Sequence, residues 1–286
     1  MKKVLITGCS SGFGRLLVSA FLEKGYKVLA TLRNAPTRQH LFKEEIEKYG
    51  AQLKILNFDV TSADDLQMIE KYIVQNENSQ LDCLVNNAGF GVYGALEDLG
   101  VEQIQQQMNI NVIGLILTTR SMLKFLRPQH GHIINFSSVL GFSVLPLTSL
   151  YCASKYAVEA FSEALYYELA PFGVKVTLIE PGAFQTGFKD NMIWGELSGS
   201  ERSPYFQQSQ NYKKLTGRFS KLRDPRSVVI AVAKLANKSS PPLRIRCGTD
   251  ANFVYLAKSL VPAPIFRWVN RLAFALMFQK NRKNKK

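Results

Sequence analysis

The sequence predicts a single α/β domain in which helices cover both faces of a central, parallel, doubly wound sheet. Short aliphatic or β-branched runs alternate with longer stretches whose apolar residues recur at three- and four-residue spacing. This alternation is typical of repeated strand–helix units, which place their strands in parallel. The 286 residues, of which 46% are hydrophobic, suffice for one large core. We find neither an internal repeat nor a second core pattern.

Each predicted element follows from this pattern. Strands are predicted at 3–7, 27–31, 53–57, 81–86, 131–137, 174–180 and 243–247. Helical patterns begin near Gly12, Gln39, Ser62, Val101, Leu150 and Asp224. From about 183 to 222 the alternation stops, and Phe188 and Trp194 stand among Gly, Ser and Pro residues, which is typical of a substrate lid. Residues 251–286 are an apolar and basic extension, interrupted by prolines, that we expect to pack on or beside the domain formed by residues 1–250.

Composition and charge exclude several classes of protein. The four cysteines form no C-x-x-C pair and Met1 is followed almost at once by a strand, so we expect a reducing, cytoplasmic location. The three histidines lack neighbours at metal-ligand spacing, so no metal site is expected. The net charge of +14 comes with no nucleic-acid-binding motif. No apolar run reaches the ~18 residues that a membrane span requires.

A glycine-rich turn follows the first predicted strand and opens the first predicted helix, with the spacing G-x-x-x-G-x-G. Glycines let backbone amides approach a pyrophosphate, and the start of a helix attracts negative charge. A tight strand–helix turn also selects glycine for steric reasons, so the turn alone leaves both interpretations open. The residues that would contact a dinucleotide are Thr7, Gly8, Ser10, Ser11, Gly12, Phe13 and Gly14.

The end of the second strand favours NADP(H) over NAD(H). An acidic residue about 20 positions beyond the turn usually binds the adenosine ribose, but no Asp or Glu occurs between Tyr26 and Lys43. Arg33 stands there instead, and a guanidinium suits a 2′-phosphate. Arg38 and the Ser11 hydroxyl could add contacts. The alternative is that both arginines are simply solvent-exposed.

Further polar residues follow the third and fourth strands. Asp59, followed by Val60, could bind the adenine amino group or could equally cap the next helix. The sequence Asn86-Asn87-Ala88-Gly89 could bridge neighbouring strands and line the floor of the cofactor site.

Tyr151 and Lys155 are the candidate chemical centre. Residues four apart on a helix share a face, so the Lys155 ammonium can stand near the Tyr151 hydroxyl and stabilise its phenolate. Such a tyrosine can exchange a proton with an alcohol or a carbonyl. Ser138, at the end of the fifth strand, can donate a hydrogen bond to the substrate oxygen. The same spacing occurs by chance in many helices, so the pair alone does not identify a catalytic site. The surrounding motifs must support it.

Together with the motifs around the pair, the sequence resembles the classical short-chain dehydrogenases/reductases, which have a Rossmann-type fold. The resemblance covers roughly residues 1 to 190. It rests on the glycine turn, the N-N-A-G of 86–89, the Y-x-x-x-K of 151–155, the serine thirteen residues before the tyrosine, and the helix asparagine Asn111. It also includes Pro181, Gly182 and Thr186, after the sixth strand.

The resemblance implies a catalytic set of Ser138, Tyr151, Lys155 and Asn111. Tyr151 would be the general acid/base, and Lys155 would hold the nicotinamide ribose and lower the tyrosine pKa. Ser138 would bind the substrate oxygen, and Asn111 would anchor a water leading from Lys155 to solvent. Within the family, the phrases around residues 7–12 and 30–33 resemble the hydroxysteroid and retinol dehydrogenase branches, which implies NADP(H) and a lipid-like substrate. Family members tend to form homodimers or homotetramers.

Loops near the predicted centre favour a hydrophobic carbonyl or alcohol substrate, such as a steroid, a retinoid or a long-chain compound. Their bulky apolar residues are Phe90, Val92, Tyr93, Val139, Leu140, Phe142, Val144 and Leu145. The alternative is that these side chains only pack a lid onto the body of the protein.

The C-terminal extension suggests weak peripheral contact with a membrane. In the stretch 265–278, one helical face carries Ile265, Val269, Leu272 and Leu276, and another carries Arg267, Arg271, Phe274 and Phe278. Five cations follow, Lys280, Arg282, Lys283, Lys285 and Lys286, whose alternative role is solubility alone.

Two other functions stay open at this point. One is a catalytically silent NADP(H)-binding sensor or scaffold protein, and the other is a nucleotide-sugar epimerase or dehydratase that reuses its cofactor internally. The presence of every expected catalytic residue type argues against the first. The chain length and the three-residue gap between Gly8 and Gly12 argue against the second.

Overall fold

The computed structural model describes residues 1–186, 192–218 and 223–278, and it confirms the predicted parallel sheet. All seven predicted strands are present, with two further short ones. The strands are β1 (Lys3–Ile6), β2 (Lys27–Leu32), β3 (Leu53–Asn57), β4 (Cys83–Asn86), β5 (Gly91–Tyr93), β6 (His132–Phe136), β7 (Lys175–Pro181), β8 (Met192–Trp194) and β9 (Arg244–Cys247).

The main sheet has the order β3–β2–β1–β4–β6–β7–β9, and every pair of neighbours is parallel. Val4 of β1 lies opposite Val28 of β2 on one side and Cys83 of β4 on the other. The direction of winding reverses between β1 and β4. Ligands of doubly wound sheets bind beyond the carboxyl ends of the strands at such a switch point.

Helices cover both faces of this sheet. They are α1 (Gly12–Glu23), α2 (Ala35–Arg38), α3 (Lys43–Tyr49), α4 (Ala63–Asn76), α5 (Val101–Met108), α6 (Leu115–Leu126), α7 (Ser149–Leu169), α8 (Phe206–Arg218), α9 (Arg226–Leu235), α10 (Thr249–Leu260) and α11 (Ala263–Phe278). A π-helical turn, Asn109–Gly114, joins α5 to α6. Single π turns inside helices are frequent at functional sites.

The core forms two layers because successive strand residues point to opposite faces of the sheet. In β1, Val4 and Ile6 pack with α1 and α9, whereas Leu5 between them packs with α4, α6 and α7. All three side chains are fully buried. This two-sided burial explains why the strands appear in the sequence as continuous aliphatic runs.

Two segments, after β2 and in the predicted lid, differ from the sequence expectations. The helix expected from Gln39 is divided into α2, a 3₁₀ turn (Gln39–Phe42) and α3. The predicted lid contains β8, which pairs with β5 in a separate two-stranded sheet, and the polar helix α8. The extension forms α10 and α11. Lid residues 187–191, including Phe188, and 219–222 lie outside the described residues, as does the basic segment 279–286.

None of the helices within the described ranges is long and apolar enough to cross a membrane.

Candidate active site

A cavity of about 650 Å³ opens at the carboxyl edge of the main sheet, beside the switch point between β1 and β4. It brings together most of the residues that the sequence predicts, namely Gly8, Ser10, Ser11, Gly12, Phe13, Arg33, Asp59, Val60, Asn87, Ala88, Gly89, Ser138, Tyr151, Lys155, Pro181, Gly182 and Thr186. Thr7, Gly14 and Asn111 are not part of the lining. Their contacts support the residues that are.

The glycine turn has the shape of a cradle for a phosphate group. Gly8 has φ +72°, and a Cβ there would lie 2.8 Å from the Cα of Ala88. Gly12 has φ +59°, and a Cβ would lie 2.8 Å from the carbonyl oxygen of Thr186. Side chains are therefore excluded at both positions. Helix α1 begins at Gly12, and Gly12 and Phe13 of its first turn line the cavity. The backbone amides of a first helical turn have no partner within the helix and attract negative charge.

Thr7 and Asn87 fasten the β1 and β4 ends of this cradle to each other. The Thr7 hydroxyl oxygen accepts hydrogen bonds from the backbone amides of Asn87 and Ala88, both at 3.0 Å. The Asn87 side-chain amide donates to the carbonyls of Thr7 (2.9 Å) and Gly8 (3.0 Å). A Cβ on Gly14 would collide with the Gly8 carbonyl and the Asn87 amide. These residues therefore shape the cradle from behind.

The Asn86 side chain bridges strands, as the sequence suggested. Its amide donates to Asn135 on β6 and to Thr119 on α6, each at 2.8 Å. The carboxyl ends of β4 and β6 are thereby held beside the cavity.

Arg33 and Asp59 lie together at the end of the cavity that adjoins β2 and β3. The Arg33 guanidinium is 3.9 Å from the Asp59 carboxylate, and the Arg33 side chain is 60% exposed. Asp59 does not cap α4, because Ser62 does so by accepting from the Asp65 amide at 3.1 Å. The capping alternative for Asp59 is therefore wrong. Its carboxylate instead accepts from the backbone amide and hydroxyl of Thr61.

Tyr151, Lys155 and Ser138 meet in the middle of the cavity. Tyr151 and Lys155 are one turn apart on α7, both buried, and the Lys155 ammonium lies 5.8 Å from the centre of the Tyr151 ring. The Lys155 ammonium donates to the carbonyl oxygen of Phe136 at the end of β6, at 2.8 Å. A hydrogen bond joins the Ser138 and Tyr151 side chains. One strand end and one helix thus assemble a phenol, an ammonium and a hydroxyl.

Burial dominates the titration of this group. It raises the pKa of Tyr151 above its ordinary value, and the hydrogen bond to Ser138 offsets only part of that rise. The sequence led us to expect a lowered pKa. In the structure the pKa of Tyr151 is raised instead, because the loss of solvent around the phenol raises the pKa by more than the hydrogen bond to Ser138 lowers it. Burial also lowers the pKa of Lys155 to about 8, against the opposing effect of the Glu159 carboxylate.

Asn111 lies in the π turn and braces the site. Its side-chain amide donates to the Phe90 carbonyl at 2.9 Å and to the Ser154 hydroxyl at 3.1 Å. Its side-chain oxygen accepts from the Phe90 amide at 3.1 Å. Gln107, which sequence reasoning missed, bonds the Val92 amide and, at 3.4 Å, the same serine. Both residues hold the loop after β4 against α7, next to Lys155.

An aromatic cluster stands over Tyr151. Tyr93 stacks on Tyr151 with ring centres 5.8 Å apart and ring planes inclined by 24°. Trp194 of β8 and Tyr212 of α8 both pack against Tyr93, at 6.3 and 6.2 Å. Sequence reasoning missed Tyr212, because its helix is polar and α8 was not predicted.

The other end of the cavity is apolar, in agreement with part of the sequence prediction. Phe90, Tyr93, Val139, Leu140 and Leu145 line it, together with Ile110, Met192 and Ile193. Three of the predicted apolar residues do not line the cavity. Val92 is buried within β5, Val144 is exposed to solvent, and Phe142 packs edge-on against Tyr255 of α10.

A clasp that the sequence did not reveal holds the loop after β7. The Asp250 carboxylate accepts from the Ala183 amide at 2.7 Å and pairs with the Arg223 guanidinium. The Arg223 carbonyl accepts from the Gln185 amide at 3.0 Å. Pro181, at the end of β7, and Gly182 therefore line the cavity beside a loop that is held at Ala183 and at Gln185. The only sequence feature that points to this contact is Asp250, an acidic residue in the first turn of α10, the helix after β9.

Among the described residues, no group of three or more His, Cys, Asp or Glu side chains could hold a metal ion. The cavity instead offers what a dinucleotide needs: a phosphate cradle, a cationic end beyond β2, and a phenol–ammonium pair at the other end. These features suit the site of a nucleotide-dependent oxidoreductase.

Comparison with known proteins identifies the family. The family model described as short chain dehydrogenase matches residues 2–194. The 3-ketodihydrosphingosine reductase of Bacteroides thetaiotaomicron is 34% identical over 275 residues, covering 96% of this chain and 98% of the relative. Retinol dehydrogenase 16 of Mus musculus is 33% identical over 274 residues, covering 91% and 85%. The chain therefore belongs to the short-chain dehydrogenase family and is an oxidoreductase.

Solved structures agree with this assignment. A short-chain dehydrogenase from Streptomyces avermitilis superposes with a TM-score of 0.80 at 28% identity, covering 96% of this chain and 99% of that one. The closed form of serine dehydrogenase complexed with NADP+ superposes with a TM-score of 0.71 at 27% identity, covering 85% and 93%.

Proposed function

We propose that this protein is an NADP(H)-dependent oxidoreductase that interconverts a carbonyl and an alcohol on a hydrophobic, steroid-, retinoid- or long-chain-like substrate. One observation carries the proposal. Tyr151, Ser138 and Lys155 meet in a single cavity, between a glycine cradle with an arginine at its far end and an apolar, aromatic pocket.

The residues present fit NADP(H). Side chains are excluded at Gly8 and Gly12, which leaves room for a pyrophosphate at the start of α1. Arg33, with Arg38 and Ser11 nearby, would hold the 2′-phosphate. Asp59 and Val60 would contact the adenine, and Asn87 to Gly89 would form the floor. When bound, the nicotinamide supplies or accepts the hydride. Tyr151, Lys155, Pro181, Gly182 and Thr186 would hold that end of the cofactor.

In this proposal Tyr151 donates the proton to the carbonyl oxygen of the substrate. Its raised pKa keeps the phenol protonated at neutral pH, as a general acid for carbonyl reduction must be. Ser138 would hold the substrate oxygen within reach of that phenol. The Lys155 ammonium, 5.8 Å from the ring, would stabilise the phenolate left after proton transfer. In the oxidative direction the same groups would act in reverse.

The substrate class follows from the far end of the cavity. Most of its walls are the apolar side chains of Phe90, Leu145, Met192 and their neighbours, and its few polar groups include the Tyr93 and Tyr212 hydroxyls and the Gln106 amide. A sugar or a nucleotide would leave its hydroxyl groups unpaired there, whereas an extended hydrocarbon would not. The names of two relatives, a 3-ketodihydrosphingosine reductase and a retinol dehydrogenase, support the same class.

Assembly and location complete the proposal. We propose residues 1–250 as the catalytic unit and 251–286 as an extension of it. Leu117 of α6 and Tyr166 and Tyr167 of α7 are exposed on the outer helical layer, which suits the homodimer or homotetramer that the family resemblance implies. Light scattering would measure it. All four cysteine thiols are free and buried, which suits a cytoplasmic enzyme. We propose that this enzyme is peripheral to a membrane.

A substrate panel tests the proposal. Hydrophobic ketones, aldehydes and alcohols, with sugar ketones as controls, would be assayed by cofactor absorbance with NADPH and NADH in parallel. We expect turnover of hydrophobic carbonyls with a clear NADPH preference. Preference for NADH would refute the role of Arg33. Conversion of a nucleotide sugar without consumption of free NADPH would indicate an epimerase, and NADPH binding without any turnover would favour the sensor or scaffold.

A further inference from the structure

Helices α10 and α11 carry an extensive apolar surface to solvent. Its seven large side chains are between 48% and 77% exposed, and they form what we call the docking surface: Phe253, Leu256, Leu260, Ile265, Trp268, Val269 and Leu272. They recur at helical spacing, three and four residues apart, within each helix. A monomeric soluble protein seldom leaves so many large apolar side chains uncovered in one region, so this surface needs a partner.

Charge identifies the kind of partner. Asp250 is the last acidic residue of the chain, so residues 251–286 contain none. The same residues contain eight cations, Lys258, Arg267, Arg271, Lys280, Arg282, Lys283, Lys285 and Lys286. Apolar side chains flanked only by cations match the chemistry of an anionic lipid surface, where acyl chains lie beneath negatively charged headgroups.

We infer that the docking surface inserts into the headgroup layer of an anionic bilayer and holds the enzyme there as a peripheral protein. An interfacial helix of this kind buries its apolar side chains about 5–10 Å deep while its cations stay among the headgroups. The indole of Trp268, exposed in the centre of α11, is suited to that boundary.

A second copy of the chain fits this surface less well. In a symmetric dimer each docking surface would face itself, so Lys258, Arg267 and Arg271 of one copy would approach the same cations of the other. Residues 251–286 contain no Asp or Glu side chain to neutralise them. A bilayer containing anionic lipid supplies the missing charge.

The position of the two helices links the surface to the cavity. In α10, Tyr255 packs edge-on against Phe142 at 6.0 Å, and Lys258 donates to the Phe142 carbonyl. Phe142 belongs to the loop that also supplies Leu140 and Leu145 to the apolar end of the cavity. Helix α11 packs against α8, which carries Tyr212. A lipid-soluble substrate could thus pass from the bilayer to the cavity, a consequence that rests on the proposed function.

Vesicle binding tests the inference with the full-length protein. Sedimentation with phosphatidylcholine vesicles containing about one third phosphatidylglycerol would be compared with pure phosphatidylcholine vesicles. The test variant is the triple substitution Leu260→Ser, Trp268→Ser and Leu272→Ser. The control is Met68→Ser, Val74→Ser and Val101→Ser, which removes three comparably exposed apolar side chains from α4 and α5.

We expect the wild type to bind the anionic vesicles, the test variant to bind at least about tenfold more weakly, and the control to bind like the wild type. Wild-type affinity in the test variant would overturn the inference, since adsorption by the cations alone would explain it. Loss of a lipid-free dimer in the test variant, measured by light scattering, would also overturn it, because a second copy would then cover the surface.

Tryptophan emission distinguishes insertion from adsorption. In a Trp194→Phe background, Trp268 is the remaining tryptophan. We expect its emission to shift to shorter wavelength on anionic vesicles, and an unchanged spectrum would contradict insertion. Neither measurement needs cofactor or substrate. An enzyme that reduces ketones but ignores vesicles would refute the docking alone, and a vesicle-binding protein without turnover would refute the proposed function alone.

Discussion

Replacement of Arg33 by alanine tests the proposed cofactor preference. The Arg33 guanidinium lies in the cavity lining, 3.9 Å from the Asp59 carboxylate. In the proposed binding mode a ribose 2′-phosphate would compete with that carboxylate for the guanidinium. The substitution removes that guanidinium and leaves the glycine cradle and Tyr151 untouched. Binding of NADPH should therefore weaken, whereas binding of NADH, which lacks the phosphate, should not.

The size of the effect follows from the exposure of the side chain. A hydrogen bond to a charged group contributes about 1.5–3 kcal/mol. Because Arg33 is 60% exposed, solvent screens its charge and we take the lower part of that range, about 1.5–2 kcal/mol. At about 1.4 kcal/mol per factor of ten, the dissociation constant for NADPH should rise roughly ten- to thirty-fold. The half-buried Arg38 lines the same cavity and would still contact the 2′-phosphate, so it limits the loss of NADPH affinity.

Fluorescence titration with NADPH and NADH would measure both dissociation constants. Arg127→Ala is the matched control, since it removes an equally charged, exposed side chain far from the cavity. Equal weakening for both cofactors would refute the reasoning, because the loss would then have no connection with the 2′-phosphate. An effect of similar size in the control would do the same, by indicating that only overall charge matters.

Three further predictions concern pH, substrate and stability. Since the pKa of Lys155 is lowered to about 8, its positive charge is lost as pH rises through that value, so kcat for carbonyl reduction should fall above pH 8; a flat profile to pH 10 would contradict this. Tyr212→Ala should raise KM for a hydrophobic ketone about tenfold while KM for NADPH stays constant, and a change in the cofactor KM alone would refute the assignment. Gly8→Ala, at φ +72°, should lower the free energy of unfolding by at least about 1–2 kcal/mol in urea titrations, whereas an unchanged midpoint would exclude the steric argument.

The sequence predicted the part of the fold that depends on local pattern. Strands buried on both faces are rich in aliphatic residues, so the apolar runs of β1, β4 and β6 were recognisable without tertiary information, although His132 and Asn135 of β6 are buried polar residues. The four-residue spacing of Tyr151 and Lys155 placed both on one face of α7 for the same local reason.

What the sequence did not predict depends on contacts between distant segments. Strand β8 has three residues and is defined by its pairing with β5, about 100 positions earlier. The polar helix α8 carries the buried Tyr212, which lines the cavity and packs against Tyr93 of β5 and Trp194 of β8. The clasp between Arg223 and Asp250 likewise joins two segments with no common motif.

The direction of the Tyr151 pKa has a similar explanation. Sequence spacing predicts a nearby ammonium, which lowers a phenol pKa, but it does not predict how much water the phenol loses. Tyr93 stacked on the ring, together with Leu140 and Cys152 packed around it, removes that water and raises the pKa.

The measurement that bears most directly on the account is made on the Tyr151→Phe variant. Phenylalanine keeps the ring that stacks on Tyr93 and removes only the hydroxyl. With NADPH and a ketone that the wild type reduces, kcat should fall at least about 100-fold, while the dissociation constant for NADPH changes by less than about threefold. A variant that still reduces the ketone at the wild-type rate would contradict the assignment of the proton to Tyr151.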